Sequence, residues 1–316
     1  MTLIDLPGAN ADNQPPTLSV LVCTYRRPGG IEALLAALVP QVIGNPAREI
    51  VVVNDGTHSA QYEAALEPFM PFIRYHPLEE NVGVAAARNV SASLARKDYI
   101  VFTDDDTVPP SSWLDWLSML LIEHPELDVV AGTTVALLPD KPGFLANVRA
   151  THRLLPSTED SGGTIIFATA NVAIRRKLFE DLGGFGFPDF VGAGEDTELA
   201  TRLSRRGVRS KFDPGWTTQH EVSESFLALC RRFRHYGFAN GKLALMTTSP
   251  VEHDYMLDSA QTGWRTIWNW EYKELIAQAR RRHQNKAVAT LSAATACLVK
   301  MCYWRGVKDA VRLLPV

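Results

Sequence analysis

The sequence predicts an α/β fold: a central, mostly parallel sheet flanked by helices, followed by a helical C-terminal extension. Three observations lead there. Between Leu18 and Ala131, short apolar runs rich in β-branched residues alternate with segments of helical periodicity. The runs are continuously apolar, as strands covered on both faces are. At 316 residues, with 46% apolar and 21% charged side chains, the chain can bury a core without disulfides or a structural metal.

Residues 1–16 are polar, hold three prolines and read as a disordered leader with no apolar signal segment. Leu18–Cys23 is the first strand and Thr24–Gly30 its loop. Ile31–Val42 has helical spacing. Glu49–Val53 is a second strand, broken by Asn54-Asp-Gly56. A helix is expected over Gln61–Leu66, a third strand over Phe72–Tyr75 and an Ala-rich helix over Gly83–Leu94. Tyr99–Phe102 is a fourth strand ending in Thr103-Asp-Asp-Asp106, Ser111–Ile122 a helix, and Asp128–Ala131 a fifth strand. Residues 133–163 are loop-rich. A strand over Thr164–Ala170 and a helix over Arg175–Leu182 follow, then the glycine-rich loop Gly183–Pro188. Glu195–Arg206 reads as a helix, Val208–Phe212 as a strand, Asp213–Gln219 as a loop and Phe226–Leu245 as a long helix. The expected division is a leader at 1–16, one half of the main domain at 17–132, a second half at 133–245 and a basic helical extension at 246–316.

The 32 Lys and Arg against 35 Asp and Glu leave a net charge of −3, too balanced for a general nucleic-acid binder. The balance hides an asymmetry. From Gln261 onward there are ten Lys or Arg and three Asp or Glu. The four cysteines form no CxxC pair and read as reduced, mostly buried thiols. The longest apolar stretch, with Thr and Ser allowed, is Ala287–Val299 at 13 residues, short of the roughly 18–20 that span a bilayer.

In an open α/β sheet ligands gather at the carboxyl ends of the strands. Three strands end there in polar or acidic groups: Thr24-Tyr25, Asn54-Asp55 and Asp104–Asp106. Three adjacent carboxylates repel one another, so a cation is expected beside them, and hard oxygen ligands suit Mn2+ or Mg2+. Glu195-Asp196 opens a helix, which serves equally as a cap or as a source of a general base. His220 alone is uninformative. The run Asn81–Asn89 enters a helix with Gly83 allowing close backbone approach and Arg88 able to reach a diphosphate. No GxGxxG, Walker A or GxSxG sequence is present.

Taken in order, V-L-V-C-T-Y-R-R, V-V-V-N-D-G-T, N-V-G-V-A-A-A-R-N, V-F-T-D-D-D-T-V-P-P, A-T-A-N-V-A-I-R-R, L-G-G-F and G-E-D-T-E-L-A-T-R-L resemble glycosyltransferase family 2 over about Leu18–Asn240. The resemblance implies the GT-A fold and an inverting, metal-dependent transferase that uses a nucleotide-sugar donor, a UDP-sugar first. It implies donor binding by Thr24, Tyr25, Arg27, Asp55, Gly83, Arg88, Asp104 and Asp105. Asn54 stands where the family more often has the first Asp of D-D-G-S. Asp106 and Asp104 are implied as metal ligands, with Asp105 able to take either place, and His220 as a further ligand. Glu195 and Asp196 are the implied catalytic carboxylates, Asp196 being the base.

The acceptor is expected to be a glycan, a lipid-linked molecule or a small molecule. A sugar-nucleotidyltransferase would carry a Gly-rich basic loop after the first strand, which T-Y-R-R-P-G-G is not. A binding module without activity would have lost the D-D-D and E-D carboxylates. A metal-dependent phosphohydrolase would show more His and Asp ligands. The basic tail, with interspersed apolar and aromatic residues, fits an amphipathic helix on a membrane surface. It fits equally a helix packed on the catalytic domain or at a homodimer interface. The expected location is the cytoplasm, with the inner face of the membrane as the surface the tail would meet.

Overall fold

The structure is a computed structural model and describes residues 15–137, 158–159, 165–186, 194–221, 225–246, 262–282 and 285–313. The expected leader lies outside them except for residues 15 and 16, as do most of the 133–163 loop and residues 187–193 of the 183–194 loop.

The strands are β1 (Leu18–Thr24), β2 (Arg48–Asn54), β3 (Arg74–Pro77), β4 (Tyr99–Asp104), β5 (Thr107–Val108), β6 (Val129–Leu137), β7 (Thr158–Glu159), β8 (Ile165–Ile166), β9 (Val172–Arg175) and β10 (Ser210–Glu221). Eight of them form one sheet in the order β3-β2-β1-β4-β9-β6-β10-β5, while β7 and β8 pair separately. β1 pairs in parallel with β2 and β4, β2 with β3, and β6 with β10. The expected mostly parallel sheet is therefore present, with two antiparallel insertions. β9 runs against both β4 and β6, and β5 runs against β10.

Alternate residues of the same strand serve opposite faces, which is why the strands are apolar throughout. Leu18, Val20, Val22, Ile50, Val52 and Val101 pack under α1 (Pro28–Leu38), α2 (Ala60–Leu66) and α4 (Trp113–Glu123). Leu21, Val51, Ile100 and Phe102 face α3 (Val84–Leu94), α5 (Arg176–Asp181) and α6 (Glu195–Arg205).

Three expectations shift. The third strand begins later, because Glu67–Phe72, with two prolines, forms a 3-10 turn instead. Among the described residues of the strand expected over Thr164–Ala170, only Ile165–Ile166 pairs as a strand; Thr169–Asn171 turns, and the sheet strand is β9 just after it. The last strand continues through the expected 213–219 loop. A register shift between Asp213 and Thr217 absorbs Pro214-Gly215, and Trp216 stacks on Trp113 with centroids 5.3 Å apart.

The long helix expected over Phe226–Leu245 is α7 (Phe226–Met246), and among the described residues the C-terminal extension is helical, as expected: α8 (Trp264–Arg282) and α9 (Lys286–Arg312). α9 crosses α7 at backbone contact. A methyl group at Gly237 would overlap the Tyr303 carbonyl, and one at Gly306 the Arg234 carbonyl. On its α8 side, Trp304 Nε1 donates to Glu271 at 2.7 Å and Lys308 Nζ to the Thr262 carbonyl at 2.8 Å. The 13-residue apolar stretch is part of this 27-residue helix. By length and composition alone α9 could cross a membrane; its most apolar window has a mean hydropathy of 1.3 and is 39% buried inside the protein. Leu291 and Leu298, two turns apart, stay 57% and 50% exposed on its outer side.

Candidate active site

The acidic turn closes through a strand of two residues. After Asp104–Asp106 the chain re-enters the sheet as β5, where Thr107 pairs with His220 and Val108 with Gln219. The Glu221 amide donates to the Asp106 carbonyl at 2.8 Å. That register brings His220 Nε2 to 3.0 Å from Asp106 Oδ1 and 4.0 Å from Asp104 Oδ2. One ligand atom from each of Asp104, Asp106 and His220 lies within 4.8 Å of the others. Asp105 stands outside this group. It is buried, takes a hydrogen bond from Thr24, and lies 3.7 Å from Arg27; burial pushes its carboxyl up to about 7.

The chemistry of these three groups fits a divalent cation. The Nδ1 of His220 lies 3.0 Å from the Glu221 carbonyl, which can only accept, so that nitrogen carries the proton and Nε2 can offer its lone pair to a cation held between it and the carboxylates. Two carboxylates with one imidazole suit Mn2+ better than Mg2+, which prefers oxygen alone.

Arg88 joins the two halves of the site. Buried on α3, it donates through Nη2 to Asp104 Oδ1 at 2.7 Å and through Nη1 to Glu195 Oε1 at 2.5 Å. Burial works to raise the Asp104 carboxyl, but Arg88 and then His220 outweigh it and hold it below its ordinary value. Asn89, one residue on, exchanges hydrogen bonds with the Phe185 backbone at 2.8 and 2.9 Å, tying L-G-G-F to the same helix. Glu195 Oε2 is buried with no hydrogen-bond partner. Asp196, half-buried, takes hydrogen bonds from the Thr197 amide and hydroxyl. Burial and the Glu195 charge push its carboxyl up to about 7.

The other expected donor residues line the adjoining strand ends. Thr24 ends β1, and its hydroxyl accepts from Tyr62 at 2.5 Å. Tyr25 is exposed with the Arg26 guanidinium 4.8 Å from its ring centroid. Arg27 pairs with Asp106. Asp55 is fully engaged: Oδ1 accepts from the Val82 amide at 2.7 Å, and Oδ2 from Asn81 at 2.9 Å and the Gly83 amide at 3.2 Å. It holds the loop that starts α3. Gly56, at φ +76, is pressed so close to the Glu80–Asn81 backbone that no side chain fits. Tyr62 and Asn81 were not singled out from sequence. Asn81 opens the N-V-G-V run, a local signal; Tyr62 looks like any buried helical aromatic.

The chain matches the family model described as Glycosyl transferase family 2 over residues 19–183, more than half its length. The succinoglycan biosynthesis protein ExoM of Rhizobium meliloti is 30% identical over 268 residues, covering 81% of this chain and 80% of that protein. Hyaluronan synthase of Pasteurella multocida is 27% identical over 253 residues, or 68% of this chain, which spans 25% of the synthase. Among solved structures, the mannosyltransferase PcManGT from Pyrobaculum calidifontis, in complex with GDP-Man and Mn2+, superposes with a TM-score of 0.59 at 20% identity. The match covers 91% of this chain and 86% of that one.

Proposed function

The chain belongs to glycosyl transferase family 2 and is a sugar-transferring enzyme, and from that premise we propose an inverting reaction assisted by a divalent cation. The sugar passes from a nucleotide-sugar donor to an acceptor hydroxyl. The observation that carries this reading is the convergence of Asp104, Asp106 and His220 beside the Arg88–Glu195 pair. When bound, the cation supplies Lewis-acid neutralisation of the leaving diphosphate. Asp104, Asp106 and His220 would hold it. Asp196 takes the proton from the acceptor hydroxyl as that oxygen bonds to the anomeric carbon and the bond from the carbon to the diphosphate breaks. Burial, and after it the neighbouring Glu195, raise the proton affinity of Asp196 toward neutrality, where a general base works best.

The donor half is assigned to residues 17–132, the acceptor and catalytic half to 133–245 and the extension to 246–316. Thr24, Tyr25, Arg27, Asp55, Gly83, Arg88, Asp104 and Asp105 form the donor side. A UDP-sugar is the first choice of donor. A GDP-sugar is a second reading, favoured by the complexed mannosyltransferase and by Asn54 in place of an acidic residue. The extension, with Leu291 and Leu298 exposed among basic residues, is assigned to the anionic inner surface of a membrane, where a lipid-linked acceptor would lie.

A thermal-shift series with UDP-, GDP- and dTDP-sugars, in Mn2+ and in chelator, tests the reading. A donor at 100 times its dissociation constant should add about 2.7 kcal/mol of stability. Stabilisation by one nucleotide class that disappears in chelator is expected. Stabilisation that ignores the chelator removes the metal, and none at all removes the nucleotide sugar.

A further inference from the structure

Two arginines face the acidic turn, and they are held very differently. Arg88 is fixed: its side chain is 7% exposed and forked between Asp104 and Glu195. Arg27 is 41% exposed and reaches Asp106 from a loop. The backbone of that loop is anchored. Arg26 sits at φ +55 with its amide on the Thr57 hydroxyl at 2.9 Å, and the Arg27 carbonyl accepts from Ile31 at 3.1 Å. Beyond it the side chain is half-exposed and is held by its ion pairs with Asp106 and, at 3.7 Å, with Asp105.

Its partner has no oxygen to spare. Asp106 Oδ1 faces His220, and Oδ2 faces Arg27. A divalent cation held by Asp106 and His220 would compete with the guanidinium for the same carboxylate and repel it. A nucleoside diphosphate brought to that cation offers paired anionic oxygens, which a planar guanidinium matches in fork geometry.

We infer that Arg27 is an exchange residue: it closes Asp106 before the cation binds and moves onto the donor's diphosphate afterwards. The inference rests on the metal reading above. It makes Arg27 an opponent of the cation alone and an ally of the cation with donor, a crossed pattern that a merely structural ion pair lacks.

Calorimetric titration of Mn2+ alone, and of UDP or GDP at saturating Mn2+, tests it on the full chain with Arg27→Met and Arg27→Lys. Arg27→Met should bind Mn2+ alone about tenfold more tightly and the nucleoside diphosphate about tenfold more weakly, the scale of one charge-assisted hydrogen bond. Arg27→Lys keeps the charge, so its Mn2+ affinity should stay near wild type and part of the diphosphate affinity should remain. Equal Mn2+ affinity in wild type and Arg27→Met overturns the exchange and leaves the metal site standing. Weaker Mn2+ binding in Arg27→Met, with an unchanged melting temperature in chelator, overturns it too, since Arg27 would then be assembling the site. Wild type that fails to bind Mn2+ with or without nucleotide brings down the metal reading and the exchange with it.

Discussion

Arg88 and Glu195 lie 107 positions apart in the chain and meet at 2.5 Å inside the protein, while the same guanidinium reaches Asp104 at 2.7 Å. One cation thus ties the turn that ends β4 to the helix that carries Asp196. On that helix, burial first and the neighbouring Glu195 carboxylate second make Asp196 reluctant to give up its proton.

Arg88→Met should therefore destabilise the fold by about 3–5 kcal/mol, the usual cost of stranding a buried charge. Combining it with Glu195→Gln should recover part of the loss. Urea unfolding measures both, and an Arg88→Met protein as stable as wild type contradicts the pairing.

Asp196→Asn should lower turnover by about 10²–10⁴ while donor binding persists. The same change should stabilise the protein at alkaline pH. The Asp196 carboxyl titrates higher in the folded protein, at about 7, than in an unfolded chain. Its contribution to stability is full below the unfolded value and is lost as pH rises through 7, and Asn escapes that loss. Melting curves at about pH 4 and about pH 8 should show the gain only at the higher pH, the lower lying near an unfolded carboxylate's pKa. Wild-type kcat should rise through neutrality; a flat profile would move the base elsewhere.

His220→Ala should weaken Mn2+ binding by about tenfold or more without disturbing the sheet, since losing a ligand should cost at least as much as losing its supporting partner. Electron paramagnetic resonance of Mn2+ reads this directly, and unchanged affinity would exclude the imidazole as a ligand.

Gly306→Leu should force α9 away from α7, because the Arg234 carbonyl occupies the space the side chain needs. Overpacking of this kind costs about 1–3 kcal/mol. Limited proteolysis should then cut between residues 246 and 286 sooner than in wild type; equal cutting rates would mean that the crossing adapts.

Replacing Leu291 and Leu298 with Gln, together with Lys286, Arg305 and Arg312, should release the protein from vesicles rich in anionic lipid. Each basic residue near such a surface contributes about 1 kcal/mol. Transfer to a soluble acceptor should survive. Wild type that ignores these vesicles at low salt removes the membrane assignment, and a change from dimer to monomer would reassign the face to a second copy.

Much of the sheet was legible because β1, β2 and β4 are continuous apolar runs that stop at polar residues, a local signal. β10 was cut short in the sequence reading because Pro214-Gly215 looks like a turn; it continues because a bulge takes up the extra residues and Trp216 is buried against Trp113. β9 follows a turn and has four residues, too few for a pattern. The acidic turn and the Glu195-Asp196 pair stood out by residue type. What brings His220 to Asp106, and Arg88 to Glu195, is register and packing between distant segments, which no local pattern carries. Asp55 shows the limit of residue type: nothing in N-D-G marks this carboxylate as the anchor of the 81–83 loop.

The two-residue strand β5 also sets an order of events during synthesis. A chain growing on the ribosome exposes Asp104 and Asp106 well before His220 has been added, an interval of roughly ten seconds at common translation rates. Arg27 and Arg88, the partners of Asp106 and Asp104 in the folded protein, are both translated earlier. The sheet edge can close, and the imidazole arrive, only after residue 220 leaves the exit tunnel.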